Sequence, residues 1–457
     1  MKLNQAPELA RREFLRRASA LGIAGTAAPW ALSLAGIGEA AAATVPGDYK
    51  ALVCVFLYGG NDYGNTLLPY DQASYDAYAN IRQALATPRD TLAATALPAV
   101  GGRQMALAPQ LGKLKGLWDA GKLAVQLNVG TLVQPTTLAQ YKAQSVPLPP
   151  KLFSHNDQQS VWQASSPEGA TSGWGGRMGD LFMGGNGTST FTCINVSGNA
   201  VFMAGRQAVQ YQVSTAGAVP INGVTKSLFG SATCSTVLRS LITAERTHWM
   251  EAELNRVVRR SVDAQASLST ALAGVPAMGT VFDTSSLSAQ LQMVAKLIAA
   301  RQALGATRQV YFVSLGGFDL HDLLVTQHPL LMTQVNDALA SFYAATVELG
   351  VADQVTTFTA SDFGRTLTSN GDGSDHGWGS HHFVMGGAVK GGRFYGTLPS
   401  VSVNGPDDVG QGRLLPTTSV DQLAATLATW MGVSATDLTM VLPQIGNYSS
   451  RDLGYFA

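Results

Sequence analysis

Four short apolar runs, each stopped by glycine or aspartate, constrain this chain more than any other feature. Tyr49-Lys-Ala-Leu-Val-Cys-Val-Phe-Leu-Tyr58 stops at Gly59-Gly60, and Gln309-Val-Tyr-Phe-Val-Ser-Leu315 stops at Gly316-Gly317. Val355-Thr-Thr-Phe-Thr359 runs into Ala360-Ser361-Asp362, and His382-Phe-Val-Met385 stops at Gly386-Gly387. Continuous hydrophobicity without alternation marks a strand buried on both faces, the habit of a parallel sheet. Amphipathic helical patterns lie between the runs, over residues 287–304, 330–349 and 420–431. The last is opened by a Ser419-x-x-Gln422 capping box. Strands alternating with helices predict an α/β fold, with a mostly parallel central sheet flanked by helices. Residues 183–285 differ in character. They hold Ser/Gly/Thr-rich strand-like pieces, such as residues 209–213, then one long helix from about Ser235 to Leu268. This stretch reads as an inserted cap region.

The amino terminus reads Arg11-Arg12-Glu13-Phe14-Leu15-Arg16-Arg17, then an apolar stretch from Ala18 to Ala35, then Gly38-Glu39-Ala40-Ala41-Ala42-Ala43. Paired arginines, a modest apolar region and a small-residue cleavage site are the order of a twin-arginine signal peptide. The competing reading is an amphipathic first helix, which rarely ends in such a site. Residues 1–43 are therefore expected to engage the twin-arginine translocase and to be removed. Residues 44–457 would then work in the periplasm or outside the cell. Of 30 basic and 30 acidic residues, 25 and 27 remain after removal, a formal charge of −2. No basic excess remains to grip nucleic acid or an anionic membrane. No later apolar run reaches the ~18–20 residues of a membrane span. Of the three cysteines, Cys54 sits in an apolar run, while Cys193 and Cys234 are candidates for pairing in an oxidising compartment.

In open parallel sheets ligands sit beyond the carboxyl ends of the strands. The loops found there share a chemistry: Gly59-Gly60-Asn61-Asp62, Gly317-Phe318-Asp319-Leu320-His321, Ser361-Asp362-Phe363-Gly364-Arg365-Thr366, and Asp375-His376-Gly377 leading to His381-His382. Five of the seven histidines (His155, His321, His376, His381 and His382) lie in or beside such stretches. Aspartate in a glycine-rich turn is ordinarily turn chemistry. Its recurrence with histidine at several strand ends points instead to a polar site. Carboxylate and imidazole together suit a divalent metal ion: zinc, manganese or iron, with magnesium or calcium where oxygen dominates.

Together these motifs, with Phe153-Ser-His-Asn-Asp-Gln-Gln159 and Gly386-Gly-Ala-Val-Lys-Gly-Gly392, resemble an exported bacterial family known as a domain of unknown function (number fifteen-oh-one). That family is in turn similar to the alkaline phosphatase and sulfatase superfamily. The resemblance implies an alkaline-phosphatase-like sheet with metal ligands at strand ends, and hydrolysis of phosphate or sulfate esters on a small molecule or a polymer. Carried over residue by residue, it implies metal ligation by Asp62, Asp319, His321 and Asp362, and by His376, His381 or His382. Phe363 stands where the superfamily signature has a histidine, so His376 would have to replace it. Ser154 is the candidate nucleophile, with Thr66 second, and Arg365 the candidate holder of an anionic ester oxygen. No Cys-x-Pro-x-Arg sequence is present, so a formylglycine is not expected. The alternative is a non-catalytic envelope binding or assembly protein with a degraded metal site. An oxidoreductase is weaker, because no Gly-x-Gly-x-x-Gly follows the first strand.

Overall fold

The computed structural model describes residues 48–457, so the expected signal segment lies outside the described residues. The strands are β1 (Lys50–Leu57), β2 (Leu67–Pro69), β3 (Ala96–Val100), β4 (Arg103–Leu107), β5 (Leu123–Gly130), β6 (Cys193–Asn195), β7 (Tyr211–Ser214), β8 (Gly217–Ala218), β9 (Arg308–Leu315), β10 (Val355–Ser361), β11 (Ser380–Gly386), β12 (Phe394–Tyr395) and β13 (Thr418–Ser419). Ten of them form one sheet in the order β12-β5-β11-β10-β1-β9-β6-β7-β8, with β13 also on β5. The sheet is mixed and mostly parallel, as expected. At its centre β10, β1 and β9 run parallel, with Leu57 level with Ser361 on one side and Leu315 on the other.

Both faces of β1 are dry, which is why its sequence does not alternate. Ala51, Val53, Val55 and Leu57 pack into one core with Leu291, Val294 and Ile298 of the helix Ser286–Ala299 and Phe342 of the helix Leu324–Glu348. Leu52, Cys54 and Phe56 pack into the other with Trp174 and Met178 of the helix Trp174–Phe182 and Leu423 and Leu427 of the helix Val420–Met431. Each of the valine, leucine, isoleucine, methionine and phenylalanine side chains among them contributes about 1.5–3 kcal/mol of burial. The Ser419/Gln422 capping box is present at the start of that last helix.

Three expectations need correction. The run 382–385 does form a buried strand, but β11 is antiparallel to both β10 and β5. Two dry faces demand the same residues in either direction. The connection decides: residues 362–379 contain no helix and stay at the carboxyl end of β10, so the chain re-enters the sheet from that end. The stretch 183–285 is not wholly a cap, because β6, β7 and β8 extend the edge of the central sheet. Its long helix is two, Ala232–Thr243 and Trp249–Ala273. The second helix terminates the first: Arg259 donates to the Thr243 carbonyl, and Asn255 Nδ2 to the Ala244 carbonyl at 2.6 Å. Cys193 and Cys234 are both unbonded, Cys193 being enclosed in β6 and Cys234 in the first turn of the helix Ala232–Thr243.

Asp62, just beyond β1, ion-pairs with Arg82 at the end of the helix Gln72–Arg82, and both side chains are buried. Arg82 Nη1 also donates to the Thr366 carbonyl at 3.1 Å. Removing one member of a buried pair strands the other charge. Arg82→Met is therefore expected to lower unfolding free energy by about 3–5 kcal/mol in a denaturant titration. A second buried carboxyl behaves differently. Burial pushes Asp421 up to about 6, against the pull of Ser165 and Arg177. The folded state thus holds a proton that the unfolded chain releases near its ordinary value, so this group's contribution is present at low pH and is lost as pH rises through about 6. Asp421→Asn should match the wild type in thermal melts near pH 4 and exceed it by roughly 1–3 kcal/mol at neutral pH.

Candidate metal centre

The parallel register places the ends of β1, β9 and β10 side by side, and their loops crowd one patch. Gly59 takes φ +115°, and a Cβ there would lie 2.2 Å from the Asp319 backbone nitrogen. Only glycine lets the β1 loop pass this close to the β9 loop. Gly60 is equally confined, since its Cβ would meet the Phe363 ring at 2.5 Å. The helix His155–Ala164 begins at the same edge, with Ser154 as its N-cap.

Four side chains converge there. His155, Asp319 and His376 each offer a ligand atom within 4.8 Å of the others. His155 Nε2 lies 3.3 Å from Asp319 Oδ2, and His376 Nε2 lies 3.2 Å from Asp319 Oδ1. His321 joins them, its Nε2 3.2 Å from Asp319 Oδ1 and 2.9 Å from His376 Nε2. The opposite nitrogen of each ring is anchored. His155 Nδ1 is 2.6 Å from Asp362 Oδ2, His376 Nδ1 is 2.7 Å from the Phe153 carbonyl, and His321 Nδ1 is 3.2 Å from Asp375 Oδ1. Carbonyl and carboxylate oxygens accept, so each Nδ1 donates and the Nε2 of each ring is left to face the centre. Phe363 lies against the rings of both His155 and His376, with centroids 4.8 Å apart in each case.

The electrostatics follow the same geometry. The hydrogen bond to Asp362 raises the His155 pKa, against its burial. Burial lowers that of His376, partly offset by its bond to the Phe153 carbonyl. Burial pushes the Asp319 carboxyl up, but the hydrogen bond and charge of Arg365 outweigh it and hold the group below the usual range.

Of the expected ligands, then, Asp319, His321 and His376 are brought together and the others are not. Asp62 is spent on Arg82 and on the Gly64 amide, which it caps at 3.2 Å. Asp362 stands behind His155, with Oδ2 accepting also from Gln159 Nε2 at 2.8 Å and the Gly59 amide at 3.2 Å. His381 and His382 lie inside the sheet on β11, where burial pushes both down to about 3. His381 Nδ1 accepts from the Asn128 amide at 3.0 Å. Arg365 is not an open anion holder. Its side chain is fully buried, and it donates to the carbonyls of Gly59 (2.9 Å) and Ser374 and to Asp319 Oδ1 at 2.9 Å. Ser154 borders the centre, its hydroxyl donating to Asp157 Oδ2 at 2.9 Å. The Thr66 hydroxyl is buried and donates to the Asp62 carbonyl at 2.8 Å.

The candidate ligand that sequence reasoning missed is His155. Its motif stood out, yet Ser154 before it reads as an ordinary helix cap, and nothing local shows what the helix start faces. Gln159 and Asp375, which hold the orienting carboxylate and His321, stand in the quoted motifs but carried no expected role. The donor set passes a structural test for a divalent ion. His155 Nε2 and Asp362 Oδ1 are buried without a hydrogen-bond partner, a costly state for an atom that has nothing to bind. Two imidazoles and a carboxylate within reach of one ion, with the His321 ring beside them, suit zinc or a similar borderline ion.

No curated protein matches the chain. Among solved structures, the PsFucS1 sulfatase from Pseudoalteromonas sp. is 9% identical, the match covering 88% of this chain and 71% of that one at a TM-score of 0.36. The lipoteichoic acid synthase LtaP from Listeria monocytogenes is also 9% identical, covering 90% of this chain and 81% of that one at a TM-score of 0.33. Likenesses this distant say nothing of the chemistry. A family model is more direct: it matches residues 49–444, nearly the whole described chain, and the chain belongs to the family described as Protein of unknown function (DUF1501).

Proposed function

We propose that the chain is an exported, metal-dependent hydrolase of phosphate or sulfate esters. The observation that carries the reading is the set of three anchored imidazoles whose Nε2 atoms all face Asp319. A divalent ion held there supplies a Lewis acid for an ester oxygen. His155, His376 and Asp319 would hold it, with His321 beside them. Asp362, Asp375 and the Phe153 carbonyl fix the rings with Nε2 towards the centre. Arg365 holds Asp319 as a carboxylate. Ser154, next to His155 in the chain, is the proposed nucleophile, and Asp157 the group that its hydroxyl proton already points to. The twin-arginine signal supports work outside the cytoplasm after export in the folded state.

A second reading is favoured by Phe363 and Asp62. With the first apolar and the second tied to Arg82, only one ligand cluster stands among the described residues, as a non-catalytic binding or assembly module with a reduced metal site would have. A panel of phosphate and sulfate esters with several divalent ions separates the two. Turnover abolished by Ser154→Ala, with metal content intact, supports the hydrolase. A metal-loaded protein inert on every ester supports the module.

Metal content is the direct check on the centre. Elemental analysis of the purified protein should find about one ion per chain. Asp362→Asn, which reaches the centre only through the ring of His155, should weaken metal affinity by roughly 10–100-fold, and Asp319→Ala should abolish it. Equal and negligible metal in wild type and variants would sink the proposal. For the export step, replacing Arg11 and Arg12 together by lysine is expected to leave the protein in the cytoplasm on cell fractionation.

A further inference from the structure

The helix Trp249–Ala273 carries a stripe that is apolar except at Ser261: Met250, Leu254, Val257, Ser261, Ala264, Leu268 and Ala271 recur at alternating steps of four and three. That spacing is the seam of a packed helix pair. The lower half is used within the chain, for Ala264, Leu268 and Ala271 are buried in the core. The upper half is bare. Met250 is 59% exposed and Leu254 62%, and Val257 is also uncovered. Val237 and Leu241, one turn apart on the helix Ala232–Thr243, are exposed as well. A stripe that begins covered and ends uncovered is half of an interface.

The charges beside the stripe say what covers it. Glu253 and Arg260 flank the seam on the same side, seven residues apart. Arg260 forms no ion pair among the described residues, and Glu253 is engaged through one oxygen only, by Arg256 of its own helix. If two copies of this helix pack antiparallel with Leu254 of each over Val257 of the other, Glu253 of each falls opposite Arg260 of the other. The pairing is self-complementary and closes on itself, as a two-fold interface must. Both charge signs border the stripe, with Glu251 and Glu253 beside Arg256 and Arg260, which fits a like copy better than an anionic lipid surface.

We propose that the exposed half of the Trp249–Ala273 helix is a homodimer interface, in which two copies pack antiparallel about Leu254 and Val257 with reciprocal Glu253–Arg260 ion pairs. The surface lies on the helical hairpin, apart from the candidate metal centre, and the proposal does not depend on what that centre does.

Sedimentation velocity of the full chain over a concentration series tests it. The wild type should reach dimer mass. Leu254→Glu should be monomeric at the same concentrations with an unchanged circular-dichroism melt, since the side chain is exposed in the single chain. Arg260→Glu should weaken association by roughly tenfold, through two like-charge contacts, and Glu253→Arg with Arg260→Glu should restore it. A wild type that stays monomeric, or that binds anionic vesicles as a monomer, overturns the proposal. So does a dimer indifferent to Leu254→Glu, or a double reversal no better than the single one.

Discussion

The buried guanidinium of Arg365 is the joint on which this molecule's polar end depends. It takes the Gly59 carbonyl from the loop after β1, the Phe318 carbonyl and Asp319 carboxylate from the loop after β9, and the Ser374 carbonyl from the loop before β11. A guanidinium out of water is costly unless its donors are used, and here a planar fork of donors meets acceptors from three separate loops. The glycine that lets the loops approach and the arginine that binds them are complementary parts of one arrangement. Without Gly59 the loops could not touch, and without Arg365 four oxygens would face one another with nothing to hold them.

From that joint follows the shape of the centre. Asp319 is held as a carboxylate at one spot, and the imidazoles gather around it from three directions: His321 from the same loop, His376 from the loop that Arg365 ties down, and His155 from the start of a helix. Each ring is braced from behind by a different acceptor. Phe363 completes the packing instead of contributing a ligand, lying against both His155 and His376, whose rings also touch each other. The aromatic residue that raised doubt about a metal site is thus part of the wall that aligns two of its rings.

The strands at the centre of the sheet were readable because two dry faces leave a one-dimensional mark, an unbroken apolar run. Asp319, His321 and His376 were readable because glycine-flanked Asp and His recur just past such runs. The same signal misplaced Asp62, whose loop looks alike but whose charge is cancelled by Arg82, twenty residues on in a helix with no motif of its own. It misplaced His381 and His382 too. They follow His376 closely in sequence, but the chain turns into β11 between them and buries both rings in the sheet.

The amino-acid order by itself determined the α/β class, the strand ends as the place where polar groups gather and the Asp/His character of that cluster. These are local matters of hydrophobic period and residue type. Tertiary structure alone decided which groups meet. Whether an aspartate binds a cation of the protein or faces an open centre, whether an arginine is spent on carbonyls, whether β11 enters parallel or antiparallel, and whether a helix start lands beneath Asp319 all depend on contacts between residues tens to hundreds of positions apart. No local pattern records such a contact, because its energy belongs to the pair and not to either member.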